Sequence, residues 1–299
     1  MPYKQINKPI KTIKTKMKQT KIYSELVQKM REFFLNKNFI EVPDGIRLSI
    51  LAACENPHSI VPYCLTDENG EQIKYPLQQT NQMVLEEQLL QNPEWDGVFC
   101  VTTSYRDEKT PIDGRHKKVF KMVEFESKGT MKDLHKLEVE LLEFLGFKTP
   151  VTVDYDKLCN EYETDILESN HEELMWRDLG SSISLQNFPL RTNPFWNMKE
   201  GENGKFNKID VILYGQETFG SAERSCDPDR MREMFYTIED GKYAGKLFEL
   251  FGRERVEKEL EEFLSHKFFS RFGGGIGMSR LLRAYEMLLE EKKEMSVDL

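Results

Sequence analysis

Apolar and polar positions recur along this chain with two different periods. In residues 20–37, Ile22, Leu26, Met30, Phe33 and Phe34 return every three or four positions, which predicts a helix with one buried face. Phe39-Ile40-Glu41-Val42-Pro43 reads as a short strand stopped by proline. Residues 81–91 read as a helix that ends before Asn92-Pro93. Residues 98–105 are β-branched and aromatic, the pattern of a buried strand. The charged stretch 106–118, with Pro111 and Asp113-Gly114, reads as a loop, and 119–126 as the returning strand. Leu134, Leu137, Val139, Leu141, Leu142 and Phe144 place a helix over 132–146. Residues 210–214 read as a strand, 228–264 as a charged helical stretch, and 278–292 as a final helix after a glycine run. The mixed pattern of 151–190 predicts little. This order predicts an α+β fold with a mostly antiparallel sheet flanked by helices, not regular βαβ units.

Composition narrows the classes. The 299 residues, 39% hydrophobic and 31% charged, exclude a disordered or fibrous chain and suit one larger domain or two small ones. No apolar run reaches the roughly 18 residues of a membrane span, and no apolar stretch near the N-terminus suggests a secretory signal. Cys54, Cys64, Cys100, Cys159 and Cys226 are odd in number and scattered, with no C-x-x-C pair. They predict reduced thiols in a cytoplasmic protein, not a disulfide framework or a zinc site. His58, His135, His171 and His266 have no ligand spacing and read as ordinary surface or core residues. The net charge is −9, yet residues 1–21 hold seven lysines and no acid, which leaves −16 on the other 278 residues. An acidic body argues against broad binding to a phosphate backbone, while residues 1–19 read as a basic leader before a main domain over 20–299. Such a leader is either a solvated tail or a contact for nucleic acid.

Three constellations carry candidate chemistry. The first is Tyr105-Arg106-Asp107-Glu108, a loop with Arg115-His116, then Phe120 and Glu124-Phe125-Glu126. An arginine at a strand end offers a rigid fork of donors to a phosphate, His116 and Arg115 could close over a polyphosphate, and Phe120 could stack on a flat base. Glu124 and Glu126, two apart, share one face of a strand. The same residues would also make an exposed charged hairpin over a core phenylalanine. The second is Gly273-Gly274-Gly275-Ile276-Gly277-Met278-Ser279-Arg280, a glycine run opening a helix, with Arg280 one turn in to meet an anion. It fits neither the dinucleotide fingerprint nor a Walker loop. The third is Asp210 and Glu217, followed by Gly220-Ser221-Ala222-Glu223-Arg224. Two acids flanking a turn could hold Mg²⁺, although two acids alone are more often a surface feature.

In order and spacing, these constellations resemble the three signature motifs of class II aminoacyl-tRNA synthetases. The nearest pattern is the aspartyl/asparaginyl subgroup with the related archaeal-type asparagine synthetases. Residues 20–37 with Phe39–Pro43 look like the first motif, which forms the dimer interface in that family, so the resemblance implies a homodimer. The arginine hairpin looks like the second motif and the glycine run with Arg280-Leu281 like the third. Asn193-Pro194-Phe195-Trp196-Asn197-Met198 and the Asp210–Arg224 stretch match subgroup patterns between them. The resemblance covers about 20–290 and implies roles. Arg106 would grip the α-phosphate of ATP, Glu108 would contact the adenine amino group, and Phe120 would stack on the ring. His116, Arg115 and Arg280 would hold the distal phosphates, and Asp210 and Glu217 would carry Mg²⁺. The implied chemistry is attack of a substrate carboxylate on the α-phosphorus, catalysed by positioning and charge neutralisation.

For the amino acid, the resemblance assigns Arg224 to the side-chain end, Gln82 and Glu124 to the pocket, and Glu55 to the α-amino group. Leu85 stands where aspartyl enzymes place a lysine. Glu86 matches the glutamate with which asparaginyl enzymes accept from the amide, so the pocket leans to asparagine. Val119 replaces the usual glutamate before Phe120. Full-length synthetases of this subgroup carry an anticodon-binding barrel of about 100 residues before the core, whereas about 20 residues precede the first motif here. The expectation is therefore a ligase that passes its adenylate to ammonia or another small acceptor. The alternatives are a minimal aminoacyl-tRNA ligase, holding the acceptor stem with its lysines, and a non-catalytic paralogue that binds nucleotide or RNA.

Overall fold

The computed structural model of the chain describes residues 10–45, 49–53, 56–112, 115 and 117–297, with the backbone alone for 10–18, 52, 53, 296 and 297. In chain order the elements are α1 (Ile10–Asn36), β1 (Phe39–Glu41), β2 (Pro62–Thr66), β3 (Gln72–Pro76), α2 (Gln82–Gln91), β4 (Gly97–Tyr105), β5 (Val119–Lys128), α3 (Met131–Leu145), β6 (Val151–Asp154), α4 (Tyr155–Glu161), α5 (Ser169–Leu179), β7 (Ser182–Pro189), β8 (Lys205–Leu213), β9 (Gln216–Glu223), α6 (Pro228–Thr237), α7 (Lys242–Phe251), α8 (Arg253–Leu264), β10 (Arg271–Gly277) and α9 (Met278–Val297). Eight strands form one sheet in the order β1-β4-β5-β10-β9-β8-β7-β6, and β2 pairs with β3 in a separate hairpin. The five inner pairings are antiparallel; those at the two edges, β1 with β4 and β6 with β7, are parallel. The fold is α+β, as the order of elements predicts.

One sheet face is closed by α1, α3 and α9. Phe34 of α1 stacks on Phe99 of β4 with ring centroids 5.1 Å apart, and Val123, Phe125, Phe219 and Ile276 extend the same cluster. Aromatic pairs of this kind add about 0.5–1.5 kcal/mol beyond the area they bury. Side chains alternate along a strand, so Glu124 and Glu126 of β5 point to the opposite face. That face is covered at its edge by α2, where Leu85 and Leu89 pack on Val98 and Cys100. A second cluster around Trp196 holds α6, α7 and α8 together. Between these covers the middle of the sheet stays open.

Four predictions shift. Helix α1 starts ten residues before the periodicity does: residues 10–19 have no glycine or proline to break a helix, but too few apolar positions to announce one. The predicted 19/20 border therefore falls inside one helix. The stretch 228–264 is three helices, started by Asp227, whose side chain accepts from Asp229 N–H and Arg230 N–H, and broken where Glu239, Asp240, Gly241 and Gly252 take positive φ. The mixed region 151–190 resolves into a strand, two helices and a strand. The glycine run before the final helix, to which the pattern assigned no element, is β10, in the interior of the sheet.

Candidate active site

The open middle of the sheet holds two adjoining cavities of about 340 and 260 Å³. The first lies beneath the β4–β5 hairpin. These strands stay in register out to Tyr105 opposite Val119, and Arg106 N–H donates to the Lys118 carbonyl at 2.8 Å, so Arg106 leaves on the strand line. Arg106, Arg115, Lys117 and Arg280 line this cavity with Glu108 and Phe120. The Arg106 guanidinium sits 5.3 Å from the centre of the Phe120 ring, within cation–π range, and its Nε donates to Ser104 Oγ at 3.3 Å. Burial lowers its pKa, opposed by the charges of Glu108 and Glu217. Arg280, in the first turn of α9, donates to the Glu217 carbonyl at 2.7 Å and lies 3.5 Å from that residue's carboxylate. Arg115 pairs with Glu172 of α5, whose carboxylate also accepts from the Glu217 N–H at 2.6 Å. Lys117 Nζ donates to Ser279 Oγ at 3.1 Å.

β10 is the floor of both cavities. Gly273 lies opposite Glu126, and Gly275 opposite Glu124. A methyl on Gly273 would stand 2.0 Å from Glu126 Oε1, and one on Gly275 2.6 Å from Met122 Cε. The glycines thus leave room for β5 side chains and let a ligand lie on bare backbone. Close approach is the reason for the glycines, but it happens on a strand.

The second cavity is lined by Gln82, Glu124, Lys208, Asp210 and Arg224, among others. Burial pushes Glu124 up to about 7, against hydrogen bonds from the Thr80 hydroxyl and, at 2.8 Å, the Asn81 N–H. Behind Arg224 of this wall lie three further charges. Arg224 Nη2 meets Glu126 Oε1 at 2.6 Å, and Arg271 Nη2 meets Glu86 Oε2 at 2.7 Å, all four side chains being at most 3% exposed. Burial pushes Glu126 up to about 8, in spite of Arg224 and helped by the charge of Glu86. Burial also acts to raise Glu86, but Arg271, Arg224 and the Gln82 bond outweigh it and hold its pKa below the ordinary value.

Glu217, Gly220 and Gly275 belong to both cavities, which makes Glu217 the junction, with Asp210 beside it in the wall of the second. Asp210 Oδ2 is paired with Lys208 at 2.7 Å, while its buried Oδ1 has no partner among the described residues. A methyl on Gly220 would stand 3.3 Å from Glu217 Oε1 and 3.6 Å from that same Oδ1, so both oxygens face the space the glycine leaves. Burial and the charge of Glu217 push Asp210 up to about 7, with Lys208 opposing. An all-oxygen pair of this kind fits Mg²⁺, which completes its shell with phosphate and water. Among the described residues no group of three or more potential ligands comes together.

The structure therefore gathers Arg106, Glu108, Arg115, Phe120 and Arg280 around one cavity and Gln82, Glu124 and Arg224 around its neighbour, with Asp210 and Glu217 between. Glu86 is adjacent but fully buried and does not line the pocket. Leu85 faces the apolar cluster under α2, so the residue there does not reach the pocket either. Glu55 and His116 lie outside the described residues. Sequence reasoning missed Lys117, Lys208 and Arg271, and named Asn197 only within the 193–198 motif. Lys208 stands two residues before Asp210 on one strand face, a spacing that could have flagged it. Arg271, one residue before the aromatic and glycine run, carried no such signal.

A sheet with an arginine hairpin, a bare glycine strand and a helix-borne arginine around one cavity defines a class II synthetase catalytic fold. The chain belongs to the family of class II tRNA synthetases (D, K and N), whose model matches residues 6–293. It is similar in structure to the asparaginyl-tRNA synthetase of Pyrococcus horikoshii complexed with asparaginyl-adenylate (TM-score 0.70, 19% identity, 89% of this chain and 64% of that one). It is also similar to the asparaginyl-tRNA synthetase of Entamoeba histolytica (TM-score 0.66, 17% identity, 90% and 64%). The aspartyl-tRNA synthetase of Entamoeba histolytica gives a TM-score of 0.64 at 18% identity, over 89% and 55%. The chain spans less than two thirds of each of these enzymes. No curated protein matches it in sequence. Among the described residues no helix is long and apolar enough to cross a membrane.

Proposed function

We propose that this chain activates an amino acid of the aspartate/asparagine type with ATP, forming an aminoacyl adenylate and pyrophosphate, and passes the acyl group to ammonia or another small acceptor. The observation that carries the reading is the shared wall. A base-and-phosphate cavity and an amino-acid-sized cavity meet at Glu217, Gly220 and Gly275, where a substrate carboxylate and an α-phosphate would come together. Phe120 offers a stacking face for adenine, Glu108 an acceptor for its amino group, and Arg106 a fork for the α-phosphate. Arg115, Lys117 and Arg280 line the way out for pyrophosphate. The carboxylate oxygen bonds to phosphorus as the bond to the β-phosphate breaks; no side chain becomes covalently attached. The work of the chain is to align the two reactants and to neutralise charge where it builds up. Asp210 and Glu217 would hold Mg²⁺, which supplies further neutralisation of the phosphates when bound. The acceptor then attacks the acyl carbon and AMP leaves. The −16 carried by residues 22–299 supports a small acceptor over a long nucleic-acid footprint.

The test is ATP–pyrophosphate exchange across the twenty amino acids without RNA, followed by addition of ammonium, hydroxylamine or tRNA. Exchange with aspartate or asparagine and amide formation with ammonium is the expected result. Product only with tRNA would move the acceptor to RNA. Nucleotide binding with no exchange under any condition would leave a non-catalytic paralogue.

A further inference from the structure

Four polar side chains, Gln82 in the wall of the amino-acid pocket and three behind it, hydrogen-bond in a direction that chemistry dictates. Arg271 is fully buried and can only donate: its Nε and Nη2 reach Glu86 Oε2 at 3.0 and 2.7 Å, and its Nη1 reaches the Ser225 carbonyl at 3.0 Å. Glu86, held ionised by Arg271 and Arg224, can only accept. Its other oxygen, Oε1, takes Asn197 Nδ2 at 2.6 Å and Gln82 Nε2 at 2.9 Å. Because the amide nitrogen of Asn197 is committed to Glu86, its oxygen must be the acceptor towards Gln82, and it receives Gln82 Nε2 at 3.2 Å. The Gln82 nitrogen therefore has two acceptors behind the wall, and a flipped amide would set its oxygen against two others. Gln82 lines the pocket while Glu86 and Asn197 do not, so the atom left to face the ligand is the Gln82 carbonyl oxygen.

We infer that Glu86 does not touch the amino acid but is a positioning residue, which, with Asn197 and under the clamp of Arg271, turns Gln82 to present an acceptor to an N–H of the substrate. This differs from the role that the family resemblance assigns to Glu86. Both Glu86 oxygens are taken by the protein, and removing its donors would strand a buried charge. The N–H that Gln82 meets belongs to the α-ammonium or to a side-chain carboxamide. The inference rests on the proposed adenylation.

A double-mutant cycle tests it. Gln82→Leu, Glu86→Gln and the double variant are assayed by exchange with aspartate and with asparagine, reading the amino-acid KM separately from the ATP KM and kcat. Gln82→Leu and Glu86→Gln are each expected to raise the amino-acid KM roughly tenfold, the loss of about one hydrogen bond, with the ATP KM within about twofold. In the Gln82→Leu background, Glu86→Gln should add nothing. A rise for both substrates identifies the α-ammonium, and a rise for asparagine alone the carboxamide. A further tenfold loss from Glu86→Gln in that background would mean direct contact and overturn the inference. If Glu86→Gln fails to fold, Asn197→Ser, which leaves the Arg271–Glu86 pair intact, takes its place with the same expectation. Absence of amino-acid-dependent exchange in the unmodified chain overturns the proposed function, and this inference with it.

Discussion

The two cavities use charge in opposite ways. Around the first, Arg280 and Lys117 sit on the rim, whereas Arg106 and Arg115 are largely buried: the Arg280 side chain is 26% exposed and is held by a backbone carbonyl and a carboxylate at 3.5 Å, and Lys117 donates to a serine hydroxyl at 3.1 Å. Behind the second, Glu86, Glu126, Arg224 and Arg271 are out of water and paired at 2.6–2.7 Å. Rim contacts are weak in high dielectric, and under the proposed function they would be exchanged for phosphate oxygens of ATP. Buried charges cannot wait for a ligand, because an unpaired one costs several kcal/mol. The rim of the first cavity is thus built to change partners, and the wall of the second to hold its shape before anything binds.

The strongest way to break this comparison is to remove one buried partner. Arg271→Met should cost about 3–5 kcal/mol by chemical denaturation, and adding Glu86→Met should recover much of the loss; a single-variant cost under about 1 kcal/mol would erase the distinction. Next comes Arg106→Ala. It should lower exchange by about 10²–10³-fold and leave the denaturation midpoint nearly unmoved, as expected of a group whose work is on the ligand. A third test uses a buried carboxyl with no cation. Glu138 of α3 accepts from Ser221 Oγ at 2.6 Å, its other oxygen has no partner among the described residues, and burial pushes it up to about 8. A pKa raised on folding means that the native chain holds the proton more tightly. The stabilisation is complete below about pH 4 and is lost as pH rises towards 8. Glu138→Gln should flatten the fall in stability between pH 5 and 9 by about 4 kcal/mol, and an unchanged slope would show that the carboxyl is ionised throughout. The smallest effect belongs to the rim: Lys117→Ala should raise the ATP KM by only about two- to fivefold, less so at high salt, with stability within about 0.5 kcal/mol.

Much of the fold could be read from pattern. The β4–β5 hairpin, α2, α3 and α9 lie within a few residues of their predicted ranges, because each combines a clear apolar period with proline, glycine or charge at its ends. Residues 151–190 could not be read, since short elements such as β6 and α4 carry too few turns for a period to show. The β8–β9 turn is local: Tyr214 and Gly215 both take positive φ, the geometry of a two-residue hairpin.

Residue types and order by themselves determined the chemical inventory: an arginine and a phenylalanine on a hairpin, two acids near a turn, glycines before an arginine-bearing helix. Those follow from local rules of side-chain chemistry and spacing. Only the tertiary structure decided which of these groups face a ligand. Glycines whose pattern announces no element form a strand because β10 is hydrogen-bonded on both sides, by β5 and β9. Glu86, which looks like a substrate reader, turned inward because Arg271, 185 positions away in sequence, reaches it across the fold. No local period records such a contact: burial and pairing of charges are properties of what surrounds a residue, and the surroundings exist only once the chain has folded.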